Sequence, residues 1–352
     1  MYICNMKHSL YTLLVLAAAA LLPGCTPYDN MNPQAFDRAA TAADARIVDV
    51  RTAEEFAEGH LPRAVNCDWK AEDFLQNMEA AFDKDAPLYL YCRSGRRSAE
   101  AAEALTKAGY AVCNLSGGIE GWKEAGKPVT KYEVERFFTR SGKPVDVTLV
   151  KHGTLALACD GVSIHVDPVM QHGKTTNYAT EFPKADFILI THEHGDHLDA
   201  EAIDALTRED TRLLLNARSQ EQLGRGEAIT NGERVQLTDD ILLEAVPAYN
   251  TTPGRERFHP QGNGNGYVLT IDGLRIYVAG DTEDVPEMAE LKDIDIAFLP
   301  VNQPYTMTVE QCVNAARTIG PKVLIPYHFG NTDLSALPKL LPGIDVRLRQ
   351  MQ

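Results

Sequence analysis

The segment His192-Glu193-His194-Gly195-Asp196-His197 puts three imidazoles and the Asp196 carboxylate into six residues, directly after the apolar run Phe187-Ile188-Leu189-Ile190-Thr191. So many donors at the end of a strand are hard to bury unless a cation pairs with them. Imidazole and carboxylate suit zinc, and also iron or manganese. In an extended chain His192 and His194 fall on one side and can take one cation. Gly195 turns the backbone so that Asp196 and His197 can reach a second. Further candidates lie far along the chain. Asp281 ends a strand in Ala279-Gly280-Asp281-Thr282, where a carboxylate could bridge two ions. His328 ends VLIPYH, and Asp167-Pro168 after VSIHV reads as another turn facing the same site.

A second centre is Cys92, which ends an apolar strand and opens the loop Cys92-Arg93-Ser94-Gly95-Arg96-Arg97 ahead of a helix. A thiol at a helix N-terminus feels the positive end of the macrodipole and free backbone N–H groups. Arg93, Arg96 and Arg97 favour the thiolate further. The same side chains, with the backbone amides of Ser94 and Gly95, would hold an anionic sulfur donor or a persulfide. A phosphate-binding cysteine loop needs Cys, five residues, then Arg. That sixth place is Ser98 here, so the loop is sized for a single transferable sulfur. Cys67 and Cys113 have no comparable context and read as core cysteines.

The elements that must position these groups follow from length and periodicity. The chain has 352 residues, enough for two domains. Hydrophobic residues are 44% and charged residues 24%, which excludes a disordered, collagen-like or polytopic membrane chain. Lys plus Arg is 34 against 49 for Asp plus Glu, a net charge of -15, so duplex nucleic acid is not an expected partner. Seven cysteines without tight pairs exclude a disulfide scaffold. ARIVDV, PLYLYC and YAVCNL read as buried parallel strands, and RRSAEAAEALTKAG as an amphipathic helix ended near Gly109. After a boundary at 131–144, VTLVKHG, TLALACD, VSIHVDP, FILITH, RLLLN and ILLEAVPAY read as strands. GYVLTIDGLRIYVAGD reads as a hairpin at Asp272-Gly273, and TVEQCVNAARTIG as a helix. Gly262-Asn263-Gly264-Asn265-Gly266 precedes a strand rather than a helix, fails as a dinucleotide loop and reads as a mobile loop bordering the pocket.

Residues 1–24 are set apart from the fold. Lys7 is followed by the uncharged run Leu10 to Leu22, about 13 residues, too short to span a bilayer but right for a signal peptide. Leu22-Pro23-Gly24-Cys25 resembles a bacterial lipobox. The resemblance implies lipidation at Cys25, export, and anchoring to the cell envelope, with residues 25–44 as a polar tether.

With Cys92 between them, Asp49-Val50-Arg51 to Asn66 and Gly117-Gly118-Ile119 to Val129 resemble the two signatures of the rhodanese family. The resemblance implies, for residues 45–130, an α/β domain with a parallel sheet and helices on both faces. It also implies sulfur transfer through a Cys92 persulfide, with a sulfur donor as partner. Asp49 and Arg51 would brace the loop, and His60 and Trp122 would serve packing. From about Val147 to Phe329, within a second domain at 145–352, the chain resembles the metallo-β-lactamase fold, an αββα sandwich. The nearest likeness is to its ascorbate-phosphate lactonase and N-acyl phosphatidylethanolamine phospholipase D branch. That resemblance implies two divalent ions, zinc first, with His192 and His194 on the first metal, Asp196, His197 and His328 on the second, and Asp281 bridging. Water activated between them would attack a small-molecule or lipid-like substrate. Where the family carries a third imidazole for the first metal, this chain has Asn250, so His259 is expected to substitute or Asn250 to face substrate. His152 is expected as a substrate contact. The alternatives are a persulfide dioxygenase with a single iron, and a binding module without catalysis.

Overall fold

The computed structural model describes residues 28–40 and 45–351. The proposed signal peptide and Cys25 lie outside the described residues. Among those described, no helix is long and apolar enough to cross a membrane.

Alternation decides the architecture of the first domain. In the strand Leu88–Tyr91, Leu88 and Leu90 pack with Met78, Ala101 and Leu105, while Tyr89 and Tyr91 pack with Phe36, Ile119 and Trp122. A strand that is apolar on both faces needs helices on both faces. Pro33–Ala40 and Gly118–Glu124 cover one side, Phe74–Ala81 and Arg96–Lys107 the other. The sheet is wholly parallel, in the order Tyr28–Met31, Val112–Leu115, Leu88–Tyr91, Arg46–Asp49, Val65–Asn66.

Two expected boundaries are corrected. The tether expected at 25–44 contains an edge strand, Tyr28–Met31, paired with Val112–Leu115, and a helix whose Phe36 is fully buried. Its polar residues are the exposed face of an amphipathic helix, which composition does not distinguish from a tether. The linker expected at 131–144 holds the strand Glu133–Phe138, antiparallel to Pro144–Lys151, so it is the edge of the second domain.

The second domain is two seven-stranded sheets packed face to face. The first runs Glu227–Ala228, Arg212–Leu215, Phe187–Ile190, Val162–Val166, Thr154–Cys159, Pro144–Lys151, Glu133–Phe138. The second runs Arg234–Thr238, Ile241–Ala248, Gly264–Ile271, Leu274–Val278, Ile296–Pro300, Val323–Tyr327, Asp345–Val346. Leu189, Val166, Tyr267, Leu269 and Phe298 fill the space between the sheets. Ile188 and Ile190 face outward onto the helix Ala200–Leu206, and Val268 and Leu299 onto the helix Val309–Ile319. The result is four layers, αββα.

Val162–Val166 is parallel to Phe187–Ile190, and Leu274–Val278 is parallel to Ile296–Pro300 and Val323–Tyr327. Parallel neighbours end at the same edge of a sheet, so the residues that follow them gather there. The segment expected as a mobile glycine loop is corrected too. Gly264 opens a central strand, and Asn263 donates twice to Glu193 at 2.9 Å.

Candidate active sites

In the first domain Cys92 lies at the base of its loop, 1% exposed. Its Sγ accepts from the Gly95 N–H at 3.2 Å and from the Ser98 hydroxyl at 3.4 Å. Burial pushes the thiol up, but the Ser98 hydroxyl and the N–H groups of Ser98, Ser94 and Gly95 outweigh it and hold the thiol below its ordinary value. Two of the arginines pair with carboxylates, and Arg97 also interacts with the Cys92 sulfur. Arg97 makes a bidentate pair with Glu55 at 2.7 Å, Arg93 pairs with Glu120 at 2.8 Å, and Arg96 is exposed. Backbone amides and Ser98 polarise the sulfur, with Arg97 beside it, and Arg93 and Arg96 form a cationic rim. Ser98 was visible in the sequence only as the place where a phosphate loop would carry Arg.

The loop is braced from below. Asp49 pairs with Arg51 at 2.6 Å, and Arg51 donates to the Gly59 carbonyl at 2.7 Å. Gly118 has φ +58, and a Cβ there would lie 2.4 Å from the Cys92 carbonyl oxygen, so only glycine lets the two backbones approach. His60 stacks on Phe56, and Trp122 donates to the Pro128 carbonyl at 2.8 Å. Cys67 is half-buried and free. Cys113 is in the core, but it is disulfide-bonded rather than a free thiol.

In the second domain the dispersed candidates converge. His192, His194 and His259 offer ligand atoms within 4.8 Å of one another, as do His192, His197 and Asp281, and as do His152, Asp196, His197 and His328. Asp281 lies among them all. Its oxygens are 3.2 Å from His259 Nε2, 3.3 Å from His328 Nε2, 3.4 Å from His197 Nε2 and 3.9 Å from His192 Nε2. Asp196 is 3.2 Å from His152 Nε2 and 3.7 Å from His328 Nε2.

The hydrogen bonds show what is left free. His197 Nε2, His259 Nε2, Asp281 Oδ1 and both ring nitrogens of His328 are buried without a hydrogen-bond partner. Orphaned buried polar atoms are costly unless something outside the protein satisfies them. The remote nitrogens are tied back. His197 Nδ1 donates to Asp167 Oδ2 at 2.8 Å, and His259 Nδ1 to the Tyr305 carbonyl at 3.1 Å. Asp167 also accepts from the Thr191 N–H at 2.7 Å and the Thr191 hydroxyl at 2.6 Å. Imidazoles oriented from behind, with lone pairs aimed at a shared space, fit a metal site.

The field agrees. Burial disfavours charge on His197, yet Asp281 and Asp167 raise its pKa to about 10. Burial raises the Asp196 carboxyl, but His152 and His328 outweigh that and hold it far below the carboxylate range. The cluster attracts positive charge, and a His/Asp cluster of this kind is able to bind metal ions. His152, Asp167 and His328 all have left-handed backbones, with φ 44°, 47° and 45°. Such residues cost of order 1–3 kcal/mol each and gather at functional sites. Gly153 makes room for the cluster, because a Cβ there would lie 2.7 Å from His197 Cε1.

Three residues remain to be placed. His259, not Asn250, joins His192 and His194, while Asn250 donates its amide to the Tyr305 carbonyl at 2.7 Å. His152, expected only as a substrate contact, sits among the ligand atoms of the group holding Asp196 and His328. Glu193 faces away and is gripped by Asn263 and Asn216. The Tyr305 carbonyl had no signal in the sequence, because a backbone acceptor comes with every residue type.

Comparisons with known proteins agree with this architecture. A family profile described as a rhodanese-like domain matches residues 32–125. A UPF0173 metal-dependent hydrolase of Archaeoglobus fulgidus is 29% identical over 200 residues, covering 53% of this chain and 84% of its own. One of Ligilactobacillus salivarius is 32% identical over 190 residues, covering 52% and 84%. A crystal structure from Parabacteroides distasonis that carries the description metal-dependent hydrolase is 55% identical, with TM-score 0.60, covering 63% of this chain and all of that one. A profile described as the beta-lactamase superfamily domain matches residues 146–328, more than half of the chain, and the chain therefore belongs to the beta-lactamase superfamily, with a rhodanese-like domain joined ahead of it.

Proposed function

We propose that the second domain is a hydrolase holding two divalent transition-metal ions, zinc first, and that the first domain is a sulfurtransferase. The observation that carries the hydrolase reading is the set of buried, unpartnered ligand atoms on His197, His259, Asp281 and His328. His192, His194 and His259 would hold one ion. Asp196, His197 and His328 would hold the other, with His152 beside them and Asp281 shared. When bound, the ions supply Lewis acidity, lowering the pKa of water toward neutrality and stabilising charge on the attacked oxygen. The protein's part is to hold the imidazole nitrogens in one tautomer, through Asp167 and the Tyr305 carbonyl, and to orient the attacking water through Asp281. Relatives described as metal-dependent hydrolases support this reading. Small-molecule or lipid-like esters, lactones and phosphodiesters are the substrates it addresses.

In the first domain the Cys92 thiolate attacks the outer sulfur of a donor such as thiosulfate. An S–S bond forms on Cys92, the donor's S–S bond breaks, and sulfite leaves with the electron pair. Cyanide or a thiol then takes the outer sulfur and restores the thiolate. Export and anchoring to the bacterial envelope through a lipidated Cys25 complete the proposal, with metabolic labelling by a fatty acid as the check.

Metal analysis of the full-length protein tests the hydrolase. Two equivalents of transition metal after loading are expected, and less than half an equivalent removes the reading. Thiocyanate formation from thiosulfate and cyanide tests the sulfurtransferase, and a wild-type protein silent in that assay removes it. Oxygen uptake with glutathione persulfide would instead favour the single-iron oxygenase.

A further inference from the structure

The first-metal trio draws its third imidazole from a loop rather than from a strand end. The strand Ile241–Ala248 ends just before Tyr249-Asn250, and His259 arrives nine residues later. A loop imidazole needs an anchor, and Asn250 supplies it. Asn250 donates its backbone N–H to the His259 carbonyl at 2.9 Å, closing the neck of the loop. Its side-chain amide donates to the Tyr305 carbonyl at 2.7 Å and to the Arg255 carbonyl at 3.3 Å. The Tyr305 carbonyl also accepts from His259 Nδ1 at 3.1 Å. A carbonyl only accepts, so Nδ1 carries the proton and Nε2 keeps its lone pair. That lone pair faces the cluster, 3.2 Å from Asp281 Oδ2. Asn250 is 2% exposed, and its two amide hydrogens are both spent on carbonyls. It therefore ties the neck of the His259 loop to the same carbonyl that sets the His259 tautomer.

We infer that Asn250 is a positioning residue for metal binding, acting through His259 by way of the Tyr305 carbonyl. The inference rests on the two-metal reading above. Glu283 braces the same loop by accepting from the N–H groups of Thr251 at 2.8 Å and Thr252 at 2.6 Å. These bonds do not involve Asn250, so the loop is expected to stay folded when Asn250 is altered and to lose its register against Tyr305.

The test is a double-mutant cycle on the full-length protein, with Zn²⁺ as the probe in competition with a chromophoric chelator. Asn250→Ala and the near-isosteric Asn250→Asp, which cannot donate, are each expected to weaken one of the two zinc sites by about 10- to 100-fold, the usual cost of losing an orienting partner behind a ligand. Asn250→Ala in a His259→Ala background is expected to cost nothing further at that site, because its effect passes through the missing ring. Circular dichroism of the metal-free variants is expected to match the wild type. Unchanged zinc constants in both Asn250 variants overturn the inference. So do losses that add independently of His259, and so does a His259→Ala protein that keeps the site while Asn250→Ala loses it, which would make Asn250 the ligand. A wild type that binds no zinc overturns the two-metal reading, and this inference with it. A wild type with two zinc ions and indifferent Asn250 variants overturns this inference alone.

Discussion

Asp167→Asn changes one atom in a fully buried side chain that accepts three hydrogen bonds, from the Thr191 N–H, the Thr191 hydroxyl and His197 Nδ1. In asparagine one oxygen remains to accept, and the strongly bound Thr191 N–H at 2.7 Å keeps it. An NH₂ group then faces the Thr191 hydroxyl and His197 Nδ1. The hydroxyl can rotate and accept. The imidazole cannot oppose N–H to N–H, so its proton moves to Nε2, the nitrogen 3.4 Å from Asp281 and 4.0 Å from Asp196. That removes the lone pair a cation would use. Losing the carboxylate behind a ligating imidazole costs about 10- to 100-fold in metal affinity, or about 1.4 to 2.8 kcal/mol at about 1.4 kcal/mol per tenfold. Zinc titration against a chelator reads the two sites separately. The site of Asp196, His197 and His328 is expected to weaken, and that of His192, His194 and His259 to hold. Two unchanged zinc constants would refute the reasoning, because Asp167 would then have no hold on the His197 tautomer.

Other perturbations address the first domain. Ser98→Ala removes the hydroxyl 3.4 Å from the Cys92 sulfur and is expected to raise the thiol pKa, because a bond that favours the thiolate is lost. The pH profile of Cys92 alkylation reads the shift. Gly118→Ala places a methyl 2.4 Å from the Cys92 carbonyl oxygen at φ +58, and backbone must move. The expected loss is about 2–4 kcal/mol, combining overpacking with the left-handed penalty, measured by urea unfolding of the first domain. The Glu55 carboxyl is lowered from 4.5 to about 2, chiefly by its bond to Arg97. A depressed carboxyl stabilises the fold fully above its unfolded value and loses that contribution as pH falls through its folded value. The stability gap between wild type and Glu55→Gln is therefore expected to close between pH 4.5 and about 2, by thermal melts across that range. A gap that stays constant with pH would place the contribution in the helix cap instead.

What the sequence determined by itself was local. The cluster from His192 to His197, the Cys92 loop opening a helix, and the strands Phe187–Ile190 and Leu88–Tyr91 are written in spacing and alternation, because each lies within a few residues of chain. Composition misread 28–40 and 133–138, since an edge strand and an amphipathic helix expose enough polar side chains to resemble a tether or linker. Tertiary structure alone decided the rest. His152, Asp167, Asp281 and His328 meet because parallel and antiparallel strands deliver their ends to one edge of a two-sheet sandwich, over separations no spacing rule spans. His259 takes the place beside His192 and His194, and Asn250 turns to Tyr305, because a backbone carbonyl 46 residues from His259 offers an acceptor. A carbonyl is common to every residue, so its use becomes visible only when the chain has folded around it.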